Sequence, residues 1–288
     1  MDKIKKIISP IKNDMDIFEN ELKNIVLSCD NFLKDDLMNF MFSTQKRLRP
    51  ILTLLFSKIL NIQSEIVLKI MLAQEIFHSA SLIHDDIIDE AELRRNQKTF
   101  YSKYNSKIAV LEGDLLLSLG LKILSQTNIE ILKIFSDKIL NTIQGELEQN
   151  SNLNKITDEK TYINKNFNKT GNLFLCGLEA LFTLGEFDFK LKENLKNFLI
   201  NYSIAFQLKN DIKDFKQDYK NGNYTLIMLY FLKENNIEDL NKKDISKYID
   251  EAKIKLEEYK KTAQDYIKML NSKYQIILLE IIKTTLEN

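Results

Sequence analysis

The chain has 288 residues, with 41 basic and 41 acidic side chains, so a formal net charge of zero argues against a nucleic-acid polyanion as its main partner. Seven glycines and two prolines are too few for a β-rich or loop-rich fold, and Leu, Ile, Lys, Glu and Asn dominate; an all-α protein of long helices is predicted. Two cysteines, Cys29 and Cys176, argue against a disulfide framework or a Cys-based metal site and read as reduced, buried thiols.

The first residues, M-D-K-I-K-K-I-I-S-P, lack the apolar core of a signal peptide. A soluble, cytoplasmic protein without a transmembrane segment is expected, since no stretch reaches about 18 uninterrupted apolar residues. There is no repeat, low-complexity tract or Pro/Gly/Ser linker, which favours a single domain over 1–288. Helices are predicted over about 11–27 and 31–42. A polar break, S-T-Q-K-R-L-R-P, follows, and Pro50 is read as N1 of a helix over 50–60. Residues 64–90 form a long helix, with Ser64 as N-cap, that is apolar around most of its circumference and so belongs in the core. Its polar exceptions are informative: Gln74, Glu75, His78, Ser79, Ser81, His84 and three aspartates. A polar connection over 91–105 leads to helices over 107–125, 129–150 and 158–184, with Gly185 as a stop. One or two helices cover 188–219, and Asn221-Gly222-Asn223 is a turn. Helices over 224–233, 243–270 and 273–286 complete a bundle of about ten or more.

The chemistry gathers at the end of the long central helix, S-L-I-H-D-D-I-I-D-E-A-E-L-R-R. Asp85 and Asp89 are i and i+4, so on a helix their carboxylates lie on one face about 6 Å apart. Two carboxylates that close repel and suit a hard cation such as Mg²⁺. Arg94 and Arg95 just beyond suit phosphate. The alternative is an acidic helix end on the surface. A second acidic set, A-F-Q-L-K-N-D-I-K-D-F-K-Q-D, places Asn210, Asp214 and Asp218 at i, i+4, i+8, with Asp211 and Asp214 at i, i+3; it too can be a solvated face. His78 and His84 have no partners at zinc spacing, and there is no Gly-rich P-loop.

Taken together these stretches resemble the trans-type isoprenyl diphosphate synthases, the polyprenyl synthetases, over roughly 46–225. K-R-L-R-P at 46–50 and the aspartate-rich stretch at 81–95 carry the resemblance. So do V-L-E-G-D-L-L-L at 110–117, G-E-L-E-Q at 145–149, K-T-G-N-L-F at 169–174 and A-F-Q-L-K-N-D-I-K-D-F at 205–215. The resemblance implies the isoprenoid synthase type I fold, an all-α bundle around a central cavity. It implies that Mg²⁺, three ions per site, is held by Asp85, Asp89, Asn210, Asp211 and Asp214. It gives Asp85, Asp89, Arg94, Lys169, Thr170 and Gln207 the ionisation of an allylic diphosphate, and Lys46, Arg49, His78 and Arg95 the binding of isopentenyl diphosphate. It also implies a homodimer. In the family the residues four and five before the first aspartate limit product length. Here they are Ser81 and Ala80, both small, with Phe77 as a deeper floor or ordinary core, so a product of C20 or longer is expected.

Three features depart from the pattern. Thr44-Gln45 replaces Gly-Gly before Lys46, Asn210 stands where an aspartate is usual, and the segment after Asp218 is about a dozen residues short. The N-D-x-x-D-x-x-x-D pattern also resembles the second metal motif of class I terpene cyclases. A cyclase, or a weakly active partner subunit of a heteromeric synthase, is therefore the alternative expectation.

Overall fold

A computed structural model describes residues 2–29, 32–43, 45–236, 240 and 243–287. These residues are helical almost throughout, as composition predicts. They group into two compact units, Met1–Ile134 with Glu179–Glu186, and Phe135–Leu178 with Phe187–Asn288.

The first unit opens with α1 (Asp2–Ile7), a short 3₁₀ turn, and α2 (Lys12–Leu27), whose Phe18, Leu22 and Val26 form one fully buried stripe at four-residue spacing. α3 (Lys34–Phe42) follows. α4 (Leu48–Ile59) starts two residues before the predicted Pro50, which sits in its first turn. Proline is tolerated there because the first N–H groups of a helix have no intrahelical acceptor. The N-cap is Arg47, at φ 53°, a left-handed conformation uncommon for a residue with a side chain. It is secured by its own guanidinium: Nε donates to Glu19 at 2.8 Å, Nη1 to Glu75 at 2.7 Å and Nη2 to the Met41 carbonyl at 2.7 Å. Glu75 is thereby explained as a structural partner of the Arg47 turn.

α5 (Glu65–Ile88) is the central helix of this unit, capped by Ser64, whose Oγ accepts from the Ile66 N–H at 3.2 Å. By length and composition α5 could cross a membrane, but 67% of its most apolar window is buried inside the protein. Its polar Gln74 is also satisfied, accepting from Thr53 Oγ1 at 2.8 Å. α5 packs most closely on α7 (Ser106–Leu124). Two glycines a heptad apart make this possible. A Cβ on Gly113 would meet the His84 ring at 2.2 Å, and one on Gly120 would meet the Phe77 ring at 2.7 Å. Phe77, Ala80 and His84 share a face of α5, so this face lies against α7. Between α5 and α7, the predicted polar connection contains a short antiparallel hairpin, β1 (Leu93–Arg94) with β2 (Gln97–Lys98), and α6 (Phe100–Lys103).

α8 (Ile129–Ser151) and α10 (Asn172–Phe182) have residues in both units. In the second unit, α9 (Glu159–Asn166) runs into a π turn, Phe167–Gly171, and then α10. The predicted helix over 158–184 is thus three segments and ends before Gly185. α11 (Phe189–Lys220) is one helix of 32 residues, about 48 Å long. α12 (Leu226–Glu234), α13 (Ser246–Lys268) and α14 (Gln275–Leu286) pack on it. Tyr202, fully buried on α11, donates to Thr285 Oγ1 of α14 at 3.0 Å, since that hydroxyl gives its own proton to the Ile281 carbonyl. Cys29 and Cys176 are buried free thiols, as expected.

Glu112 of α7 is 2% exposed, and its Oε1 has no hydrogen-bond partner. Burial, then the charge of Asp36, raises its carboxyl from an ordinary 4.5 to about 7. The folded protein therefore keeps this proton until about pH 7, whereas the unfolded chain releases it near 4.5. Stability falls as pH rises through that window, by roughly 3 kcal/mol in total. Glu112→Gln removes the ionisable group. Its melting temperature relative to the unmodified protein should be higher at pH 8 than at pH 5, and equal differences at both pH values would contradict the burial account.

Candidate active site

In the first unit the acidic stretch lies at the C-terminal end of α5. Asp85 stands in the last turn, and Asp89 is the C-cap, its N–H bonded to the Asp85 carbonyl at 2.8 Å. The i, i+4 relation read from the sequence is therefore present. A helix C-terminus carries about half a negative charge, so carboxylates here are opposed by their own helix dipole and favour a cation. Asp86 has a different environment. It is 3% exposed, and both its oxygens accept from Arg94 Nε, at 2.8 and 3.0 Å. Burial raises its pKa and the Arg94 charge opposes the rise.

Arg94 and Arg95 lie in the hairpin, with Arg95 and Asn96 at φ 53° and 65°. Two left-handed residues in a two-residue turn are the geometry of primed hairpins, usually built from Gly, Asn or Asp. Arginine at such a position is strained, and strain of this kind collects at functional sites. The hairpin brings its arginines towards His78. The His78 imidazole is pushed well below its ordinary pKa, first by burial and then by Arg49, Arg95, Arg94 and Arg47 in turn. His78 is thus a neutral ring among guanidiniums. Arg95 is itself lowered by burial and by Arg94, the mark of cations crowded together. Lys46 is exposed and Arg49 half-buried at the start of α4; Thr44, in the altered Gly-Gly position, lies outside the described residues. The structure therefore draws Arg49, His78, Arg94 and Arg95 into one basic cluster beside the acidic end of α5, and assigns Arg47 to structure.

Ser81 is half-buried one turn before Asp85, its Oγ donating to the His78 carbonyl at 2.8 Å. Ala80 is fully buried on the side facing α7, and Phe77 is 2% exposed with its ring on Gly120.

The second unit holds the remaining candidates on the π turn and α11. Lys169 pairs with Glu146 of α8 at 2.8 Å. Thr170 Oγ1 donates to Gln207 Oε1 at 2.7 Å, and Gln207 Nε2 donates to Asp211 Oδ1 at 2.7 Å. Asp211 Oδ2 accepts from Asn166 Nδ2 at 3.0 Å and from the Tyr162 hydroxyl. Asn210 is half-buried and Asp214 exposed. Asp218 is raised to about 7, by burial first and then by Asp211 and Asp214, while Asn223 partly opposes the rise. The shortened segment after Asp218 closes as a tight turn. Gly222 has φ 74°, its carbonyl accepts from Asn154 N–H at 2.8 Å, and a Cβ there would strike Asn154 Oδ1 at 2.6 Å.

Sequence reasoning missed the hairpin, the Asp86–Arg94 pair, Glu146, Tyr162 and Asn166. Tyr162 and Asn166 carried a findable signal, a polar pair at i, i+4 one to two turns before Lys169.

Among the described residues, no three or more His, Cys, Asp or Glu side chains form a ready-made metal cage. The candidate donors are the carboxylates of Asp85 and Asp89 at the end of α5, and Asn210 and Asp214 within α11. That suits Mg²⁺, which keeps several waters and is completed by one or two carboxylates and substrate phosphates.

A family model described as polyprenyl synthetase matches residues 31–267. A prenyl transferase of Cyanophora paradoxa is 31% identical over 252 residues, covering 82% of this chain and 78% of its own. Heptaprenyl diphosphate synthase component 2 of Bacillus subtilis (strain 168) is 28% identical over 277 residues, covering 90% and 79%. Heptaprenyl diphosphate synthase from Staphylococcus aureus aligns with a TM-score of 0.88 and 25% identity over 96% of this chain and 98% of that one. A polyprenyl synthase from Caulobacter crescentus CB15, solved with calcium and isoprenyl diphosphate, has a TM-score of 0.88 at 19% identity over 99% and 98%. The architecture is the isoprenoid synthase type I fold.

Proposed function

The chain belongs to the polyprenyl synthetase family and is a prenyltransferase, and from that premise we propose that it condenses isopentenyl diphosphate with an allylic prenyl diphosphate. The reaction is Mg²⁺-dependent and yields an all-trans polyprenyl diphosphate of C20 or longer, with residues 1–288 acting as one soluble, cytoplasmic catalytic domain. The observation that supports this best is the juxtaposition in the first unit of Asp85 and Asp89 at the end of α5 with the Arg49, His78, Arg94 and Arg95 cluster.

Asp85 and Asp89 would hold Mg²⁺ in the first unit, and Asn210 and Asp214 are the donors proposed for the second, with three ions in all; bound Mg²⁺ would supply neutralisation of the charge on the diphosphate leaving group. Asp86 occupies Arg94 Nε. The Nη groups of Arg94 are then oriented for the allylic diphosphate, and a guanidinium held in place before charge develops stabilises the transition state more than one that must reorganise. Lys169, Thr170 and Gln207 serve the same ionisation from the π turn and α11. Lys46, Arg49 and Arg95 bind the diphosphate of isopentenyl diphosphate. His78, kept neutral by burial and its arginine neighbours, contributes an N–H without a charge that would have to be desolvated. The double bond of isopentenyl diphosphate attacks the allylic carbon, and loss of a proton completes one elongation. The mechanism requires a dry site, because water would quench the cation.

The proposal includes a homodimer. α7 exposes Val110, Leu111 and Leu121 by 42%, 64% and 49%, an apolar surface suited to a second chain. The Bacillus subtilis relative is named as component 2, which favours a heteromeric synthase as the second reading.

Purified protein incubated with Mg²⁺, isopentenyl diphosphate and each allylic primer should give elongated diphosphates by mass spectrometry. Cyclised hydrocarbon from the allylic diphosphate alone would replace this reading with a cyclase, and no turnover from folded protein would favour a partner subunit. For chain length the informative position is Ser81, because Ala80 is buried against α7. Ser81→Tyr should shorten the product distribution; an unchanged distribution from an active variant would remove Ser81 from the path of the growing chain.

A further inference from the structure

We infer that Asp211 is a positioning carboxylate and not a cation ligand, and that Tyr162 and Asn166 hold it so that Gln207 and Thr170 are presented in one fixed arrangement. The inference rests on the proposed synthase reading and sharpens it for the second unit.

A carboxylate ligand needs a free oxygen turned to a place a cation can reach. Asp211 is 7% exposed. Its Oδ1 accepts from Gln207 Nε2, and its Oδ2 accepts from both Asn166 Nδ2 and the Tyr162 hydroxyl. Three donors, two of them on α9, surround a buried group that has about four acceptor positions. Such a network is costly to rearrange, because removing any donor leaves a buried acceptor under-satisfied.

The network also has a direction. Gln207 is one turn before Asp211 on α11, and giving its Nε2 to Asp211 fixes which way its amide points. Its Oε1 must then face the other way, where it takes the Thr170 hydroxyl proton at 2.7 Å. Thr170 is left with only acceptor capacity, and Gln207 with its second N–H. Asn166 closes α9, and the π turn begins at the next residue. Anchoring Tyr162 and Asn166 to α11 thus fixes the start of the turn that carries Lys169 and Thr170. The far end is fixed by close approach, since a Cβ on Gly171 would meet Ser203 Oγ of α11 at 2.9 Å and the Phe167 ring at 2.4 Å. π turns of this kind occur often at functional sites. Asn210 and Asp214 remain for a cation, the latter exposed.

The test separates positioning from ligation. Mn²⁺ bound per chain is measured by electron paramagnetic resonance with inorganic diphosphate present, alongside steady-state kinetics, for Tyr162→Phe, Asp211→Asn and Asp214→Asn. Folding is followed by circular dichroism. Asp214→Asn should bind one Mn²⁺ fewer. Asp211→Asn and Tyr162→Phe should bind as many as the unmodified protein, while kcat falls about tenfold to a hundredfold with KM nearly unchanged, the signature of misplaced reacting groups. Loss of an ion in Asp211→Asn, or an unchanged kcat in Tyr162→Phe, overturns the inference; because Tyr162→Phe leaves every carboxylate in place, it decides the matter even if Asp211→Asn does not fold. Failure of the unmodified protein to bind Mn²⁺ with diphosphate would instead defeat the synthase reading.

Discussion

Carboxylates at the C-terminal end of a helix are in an electrostatically unfavourable place, and α5 puts Asp85, Asp86 and Asp89 there. Much of the first unit follows from that constraint. Asp86 is handled locally by Arg94 of the hairpin, and the hairpin has to adopt two left-handed residues to deliver its arginines. The other two aspartates stand where a divalent cation bridging a diphosphate would relieve both the mutual repulsion and the helix dipole. α5 can bring a charged end out of an apolar body because α7 supports it closely, with Gly113 and Gly120 receiving His84 and Phe77.

The second unit uses hydrogen bonds for the same purpose. Asp218 is raised to about 7 by burial and like charge, so acidity on α11 is also a strain on the protein without a cation. Burial raises Asp211 as well, but three donors oppose the rise, and in accepting from them Asp211 sets the orientation of Gln207 and Thr170. Lys169 is balanced by Glu146 beside it. Positive and negative groups are thus held in defined positions before any ligand arrives, which is what electrostatic stabilisation of a leaving group requires.

The fold class was legible because scarce glycine and proline and long 3.6-residue periodicity have few solutions other than helices. The Ser64 cap and the Gly222 turn were visible as residue types with a mechanism. The sequence places N1 at Pro50, whereas α4 begins at Leu48, because the Arg47 interactions hold a left-handed N-cap that local propensity does not signal. The hairpin at 93–98 was invisible because its turn uses Arg95 and Asn96 where a glycine would have signalled it. The π turn was invisible because it depends on contacts between α9 and α11 rather than on local propensity. The first acidic cluster could be read from i, i+4 spacing alone, which pairs Asp85 with Asp89 and leaves Asp86 without a role. Burial and the Arg94 partner separate Asp86 from the other two.

The central claim is that ionisation of an allylic diphosphate is coupled to addition of an isopentenyl unit. Its most direct test is stoichiometry: inorganic diphosphate released against radiolabelled isopentenyl units incorporated, over a Mg²⁺ titration. The account predicts one diphosphate per unit incorporated and neither process without Mg²⁺. Diphosphate release that proceeds equally well with no isopentenyl diphosphate present would contradict it.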